Sequence, residues 1–232
     1  MKPNWEDMLR QRRLIFIGKM LAAFPAESSN HLAVIQESAL GLGKRLLGQA
    51  GNVAQEDQEE FGAILATITE HIKILTQKNL YLDRFARRIG NASFTPDPAE
   101  IVTEIVSFSS RAARLRKIAI TTAMPEPLPG VSPDPGLVYF LAAIILNDML
   151  ERVAGGGQIL IRARPTGKTV LIETEGYPLP EDSVPAIDEE KRHWCLCRQV
   201  ATRFGGRLEA GANGNNKWRT SLFLPMKRTG TT

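Results

Sequence analysis

The sequence predicts an α+β chain in two parts: an antiparallel helical hairpin that forms a dimeric four-helix bundle, then a two-layer α/β sandwich. Three observations carry this reading. Apolar residues recur in steps of three and four from Trp5 to Arg88, the signature of helices with one buried stripe. After Ser93 short alternating stretches appear between helical ones, as in half-buried strands. Clusters of Gly, Pro, Asn and Asp punctuate that second part, as turns and helix caps require. The expected domains are residues 1–91 and 92–232.

The first helix runs from about Trp5 to Leu47, with Leu14, Ile17, Leu21, Phe24, Leu32, Ile35, Ala39, Leu42 and Leu46 on its stripe. Pro25 lacks a backbone donor and is expected to bend or restart it. Gly48 to Gln55 reads as a turn. The second helix, about Glu56 to Arg88, carries Phe61, Leu65, Ile68, Ile72, Leu75, Asn79, Leu82 and Ala86 in unbroken heptad steps. A hairpin with two long seams cannot bury both alone, so a homodimer is expected. Asn79 either fixes the register of that dimer or sits at a wet end of the bundle.

In the second part, Asp97 and Pro98 cap a helix over Glu100–Leu115, and Ile118–Thr122 alternates like a strand. Ser132, Pro133 and Asp134 start the apolar helix Gly136–Val153. Gln158–Arg164 and Thr169–Thr174 form a hairpin of strands, and a helix over Glu190–Phe204 ends at Gly205 and Gly206. Arg207–Ala210 and Trp218–Leu224 close the sheet. Helices segregated from a mostly antiparallel sheet give the two-layer sandwich.

Charge and cysteine content narrow the function classes. The 232-residue chain has 29 Lys and Arg against 25 Asp and Glu, a formal net charge of +4. Its densest basic cluster, Arg10, Arg12 and Arg13, lies on an amphipathic helix. A nucleic-acid surface calls for a concentrated basic stripe with interleaved aromatics, and no such partner is expected. No apolar run approaches the roughly 20 residues of a membrane span. The chain opens with charges and Trp5 rather than an apolar secretory stretch, so a cytoplasmic protein is expected. Cys195 and Cys197 stand one residue apart, which suits neither an unstrained disulfide nor a four-ligand zinc site. Reduced helical cysteines and no metal site are the expectation.

The string LIFIGKMLAAFPAESSNHLAVI, Leu14 to Ile35, resembles the phosphoacceptor helix of bacterial sensor histidine kinases. FLAAIILNDMLERV resembles that family's asparagine box, LIETEGYPLP its adenine-binding strand and loop, and HWCLCRQVATRFGGRLEAG the helix after its ATP lid. The resemblance spans nearly the whole chain. It implies a Bergerat-type ATPase-like fold for the second domain and a dimerisation and phosphotransfer hairpin for the first.

The same resemblance exposes departures. The phosphoacceptor histidine is replaced by Ala26, expected to face solvent, while Glu27 and Asn30 match the acidic residue and asparagine that follow it. Asn147 matches the magnesium-holding asparagine, but its acidic or polar partner falls among Ala143–Leu146, all apolar. Thr174 stands at the adenine-binding aspartate, Gly176 matches the first glycine, and Pro178 replaces the second. The lid glycines give way to residues such as His193 and Trp194. Glycines at a phosphate loop admit backbone donors close to the anion, and one asparagine makes a poor magnesium site.

Asn147, Thr174 and Gly176 therefore read as a vestigial nucleotide site, with no cofactor expected, or ATP and magnesium bound only weakly. Glu27, Asn30 and His31 are expected to form a docking face for a response regulator. The leading functional reading is a dimeric regulatory or docking protein of two-component signalling with no catalytic residue. A second reading, from similarity to dimeric histidine phosphotransferases, uses His31 or His71 as a substitute phosphoacceptor. A third is an active kinase, or one trapped by substitution at position 26, and a fourth is a scaffold outside phosphorelay.

Overall fold

A computed structural model describes residues 5–48, 55–89, 91, 94–95, 97–125, 127–179, 192–214 and 216–227. The chain divides into two compact units, one spanning Leu14–Phe85 and one comprising Met1–Arg13 with Ala86–Thr232.

The hairpin is built from α1 (Trp5–Gly48) and α2 (Gln55–Arg88). The turn expected at Gly48–Gln55 falls largely outside the described residues. Pro25 does not restart α1, which continues through it as one helix of 44 residues. Pro25 and Leu21, whose carbonyl loses its partner, are both exposed, so water can take the freed acceptor and the helix tolerates the proline.

The expected seam resolves into two stripes on each helix. Ile17, Phe24, Ile35 and Leu42 of α1 are half-buried, as are Phe61, Ile68, Leu75 and Leu82 of α2. The alternate heptad positions Leu14, Leu21, Leu32, Ala39 and Leu46, and on α2 Leu65, Ile72 and Asn79, are exposed. The hairpin thus uses one heptad position for its own closure and leaves the other uncovered. Phe16 and Phe85 pack edge to face with ring centroids 6.3 Å apart, and Arg45 pairs with Glu60.

The second unit contains α3 (Pro98–Leu115), β1 (Ala119–Ala123), α4 (Pro135–Arg152), β2 (Gln158–Thr166), β3 (Thr169–Tyr177), α5 (Arg192–Arg203), β4 (Arg207–Ala212) and β5 (Trp218–Pro225). Asp97 caps α3 by accepting from the Ala99 N–H at 2.8 Å, and Asp134 caps α4 by accepting from the Leu137 N–H at 3.2 Å. A proline occupies the first turn of each helix, where its missing donor is harmless. Gly205, at φ +73°, turns the chain out of α5 into β4.

The five strands run in the order β1-β2-β3-β5-β4, with β1 parallel to β2 and the other pairs antiparallel. One face carries Ile159, Ile161, Val170, Ile172, Leu222 and Leu224, all buried. α3 packs on α4, α4 on β3, and α5 on β4 and β5. Across this unit Arg88 is buried, donating to Glu104 at 3.1 Å and to the Tyr139 hydroxyl at 3.4 Å, with its guanidinium over Phe94. Glu100 accepts from the same guanidinium, so the last residue of α2 is anchored by a buried charge network.

Candidate functional site

Two groups of residues carry the functional question, one in each unit. In the hairpin, Ala26 is exposed, as expected of a phosphoacceptor position, and so is Asn30. Glu27 was expected beside them on the outer surface, but the structure buries it. Its carboxylate turns inward, is 5% exposed and lies 3.1 Å from the Lys78 ammonium of α2. One residue is 100° of helix, so a residue next to an outward Ala26 can point toward α2, where Lys78 compensates its charge.

One turn further along α1 the structure brings together the two histidines suggested as alternative phosphoacceptors. The Nδ1 atoms of His31 and His71 stand 3.0 Å apart, with both rings half-buried. The Ser28 hydroxyl, on the same helix, is buried without a hydrogen-bond partner among the described residues. The hairpin interior at this level is polar on both sides.

In the second unit the three residues of the expected nucleotide site have different surroundings among the described residues. Asn147 is exposed and its amide donates to the Glu151 carboxylate at 3.0 Å. Thr174 is buried and lines a small cavity otherwise walled by aliphatic side chains, including Val102, Ile105, Ala142, Ile145, Ile161 and Ile172. Gly176 is a packing glycine: a Cβ there would lie 2.4 Å from the Met149 sulfur and 2.5 Å from a Val153 methyl. Its bare backbone lets α4 settle on β3.

Sequence reasoning missed the polar centre beside this site. Asp148, 3% exposed, accepts from the Trp194 indole N–H at 3.0 Å and from Arg152 Nε at 2.6 Å. The Arg152 guanidinium lies over the Trp218 ring, 4.1 Å from its centroid, a cation–π contact in a dry setting. Trp218 in turn is the β5 register partner of Gly176. Trp194, read only as a lid replacement, is thus a core residue, 2% exposed. The Asp-x-x-x-Arg spacing of one helical turn was a usable signal for the pair. The indole partner lies 46 residues away and left no local trace.

On the other sheet face Glu175 accepts from Arg219 at 3.0 Å, Asn213 at 3.2 Å and Lys217 at 3.4 Å. Burial works to raise its pKa, but the hydrogen bonds and charges of Arg219 and Lys217 outweigh burial and hold it below the ordinary glutamate value.

No protein-family profile and no curated protein matches this sequence. Solved structures do. The nucleotide-free catalytic domain of the histidine kinase ThkA aligns at 16% identity with a TM-score of 0.50, over 57% of this chain and 96% of that one. The chain contains a fold like that of a histidine kinase catalytic domain. The histidine kinase AdeS of Acinetobacter baumannii aligns at 9% identity and a TM-score of 0.49, over 85% of this chain and 96% of that one. ThkA in a complex with the response regulator TrrA aligns at 15% identity and a TM-score of 0.49, over 96% of this chain and 65% of that one. At these identities the likeness concerns fold. No helix among the described residues is long and apolar enough to cross a membrane.

Proposed function

We propose that this chain is a cytoplasmic, homodimeric docking or regulatory protein of two-component signalling that has given up phosphoryl chemistry. The observation that carries the reading is Ala26: the position resembling the phosphoacceptor is exposed on α1 and presents a methyl group, which cannot accept a phosphoryl group. The second unit supports it. Thr174 faces an aliphatic cavity, and the strand position beside Gly176 is filled by Trp218 under Arg152. Thr174 and Gly176 thus serve packing while Asn147 pairs with Glu151 at the surface, and binding of ATP with magnesium is expected to be weak or absent. The uncovered heptad positions of α1 and α2 supply the dimer interface.

A response regulator is the proposed partner, docking on the exposed turn around Ala26 and Asn30. Glu27 supports that turn from inside through Lys78. The test pairs nucleotide titration with a binding assay against phosphorylated response regulators. Regulator binding without ATP binding or label transfer supports the reading. ATP bound at low micromolar concentration, equivalent to roughly −8 kcal/mol, contradicts it.

The phosphotransferase reading keeps one specific observation in its favour, the meeting of His31 and His71 inside the hairpin. It requires label on one of those two rings after incubation with a phosphorylated regulator.

A further inference from the structure

The hairpin interior holds two imidazoles in direct contact. His31 of α1 and His71 of α2 present their Nδ1 atoms to each other at 3.0 Å, with ring centroids 5.0 Å apart and planes inclined by 62°. A hydrogen bond between them needs one Nδ1 to carry the proton and the other to accept it. With both nitrogens bare, two lone pairs converge on one region between the helices. Two nitrogens ligating a tetrahedral zinc at 2.0–2.1 Å stand about 3.3–3.4 Å apart. The observed separation is short of that by only a few tenths of an ångström, a gap that a small ring rotation opens.

We propose that His31 and His71 form a two-histidine site for a divalent transition metal of the zinc, nickel or copper(II) type, which clamps α1 to α2. Imidazole nitrogen is the ligand those ions share, and copper(II) is expected to bind most tightly. The nearest charges on the page cancel rather than repel a cation. Glu27 lies one turn before His31 on the same face of α1, and the Lys78 ammonium that balances it is held 3.1 Å from the Glu27 carboxylate. Among the described residues no group of three or more His, Cys, Asp or Glu converges. The protein therefore supplies two donors, and water completes the shell. Open positions of this kind mark an exchangeable ion rather than a closed structural one. Both imidazoles ligate through a bare ring nitrogen.

The test uses the tag-free, chelator-stripped full chain, titrated calorimetrically with zinc, nickel and copper(II) chlorides. The expected result is saturable binding that His31→Gln and His71→Gln each weaken on the order of tenfold or more, while His193→Gln leaves it unchanged. Circular dichroism of the metal-free variants separates loss of binding from loss of fold. Electron paramagnetic resonance of copper(II) on the unmodified chain counts the ligating nitrogens without any variant, and two imidazole nitrogens are expected. Absence of binding, a spectrum without imidazole nitrogen, or binding that survives in the His31→Gln/His71→Gln double variant overturns the proposal.

Discussion

In the α/β unit Trp194, Trp218, Tyr139 and Phe140 are at most 2% exposed, whereas in the hairpin Leu32, Leu46, Leu65 and Ile72 stand 49–55% exposed. The hairpin's most buried side chains include a charged pair, Glu27 and Lys78. The α/β unit buries these four aromatics within its own layers. The hairpin closes around a polar centre and leaves every second heptad position uncovered, so its stability depends on covering that stripe. On the proposed reading, a second copy of the chain supplies that cover.

The largest effect is expected where that dependence is greatest. Replacing Leu65 and Ile72 with Lys removes two apolar contacts per protomer, each worth about 1.5–3 kcal/mol when fully buried, and buries unpaired charge. The account predicts loss of the dimer by sedimentation, with the near-ultraviolet signal of Trp194 and Trp218 retained. A dimer that survives both substitutions breaks the comparison at its base.

The α/β unit should respond in the opposite way. Trp194→Ala leaves a large cavity and strips Asp148 of a donor, and is expected to cost about 3–5 kcal/mol. Denaturation followed by fluorescence of Trp218 in a Trp5→Phe background reads this loss, while the sedimentation coefficient at low denaturant is expected to stay that of the dimer.

Inside the hairpin, Lys78→Met takes the ammonium away from the buried Glu27 carboxylate and should destabilise by about 3–5 kcal/mol at most. Adding Glu27→Leu is expected to restore most of that, because an apolar pair replaces an ionic one. A double variant no more stable than Lys78→Met shows that the pair positions the helix in a way apolar packing cannot.

The smallest effect concerns Glu175. Its pKa is lowered in the fold by Arg219 and Lys217, so its contribution is fully present above the ordinary value of 4.5 and is lost as pH falls through the lower folded value. Glu175→Gln should flatten the stability profile below about pH 4.5 and leave its slope near neutrality unchanged. An unchanged acid limb shows that the Arg219 and Lys217 contacts are not maintained in solution.

Much of this arrangement was legible in the chain. Apolar steps of three and four gave α1 and α2, the Asp97–Pro98 and Asp134–Pro135 pairs marked two helix starts, and Gly205 marked the end of α5. Those signals are local, and local geometry produces them. What stayed hidden depends on contacts between distant positions. Glu27 reads as a surface residue until Lys78, 51 positions on, is seen to face it. Gly176 reads as a glycine of the adenine-binding loop until Met149 and Val153 are found pressed against its bare Cα. The split of each seam into an inner and an outer stripe follows from how α1 and α2 face each other, which periodicity alone leaves open.

The central claim is that a histidine-kinase-like core with Ala26 on its surface binds a regulator without exchanging phosphate. The direct measurement incubates the unmodified chain with a panel of response regulators phosphorylated with radiolabel, resolving complexes by sedimentation and label by denaturing gel. The account predicts a complex with at least one regulator and label that remains on the regulator. Acid-labile label that moves to this chain, and is lost in His31→Gln or His71→Gln, would contradict it.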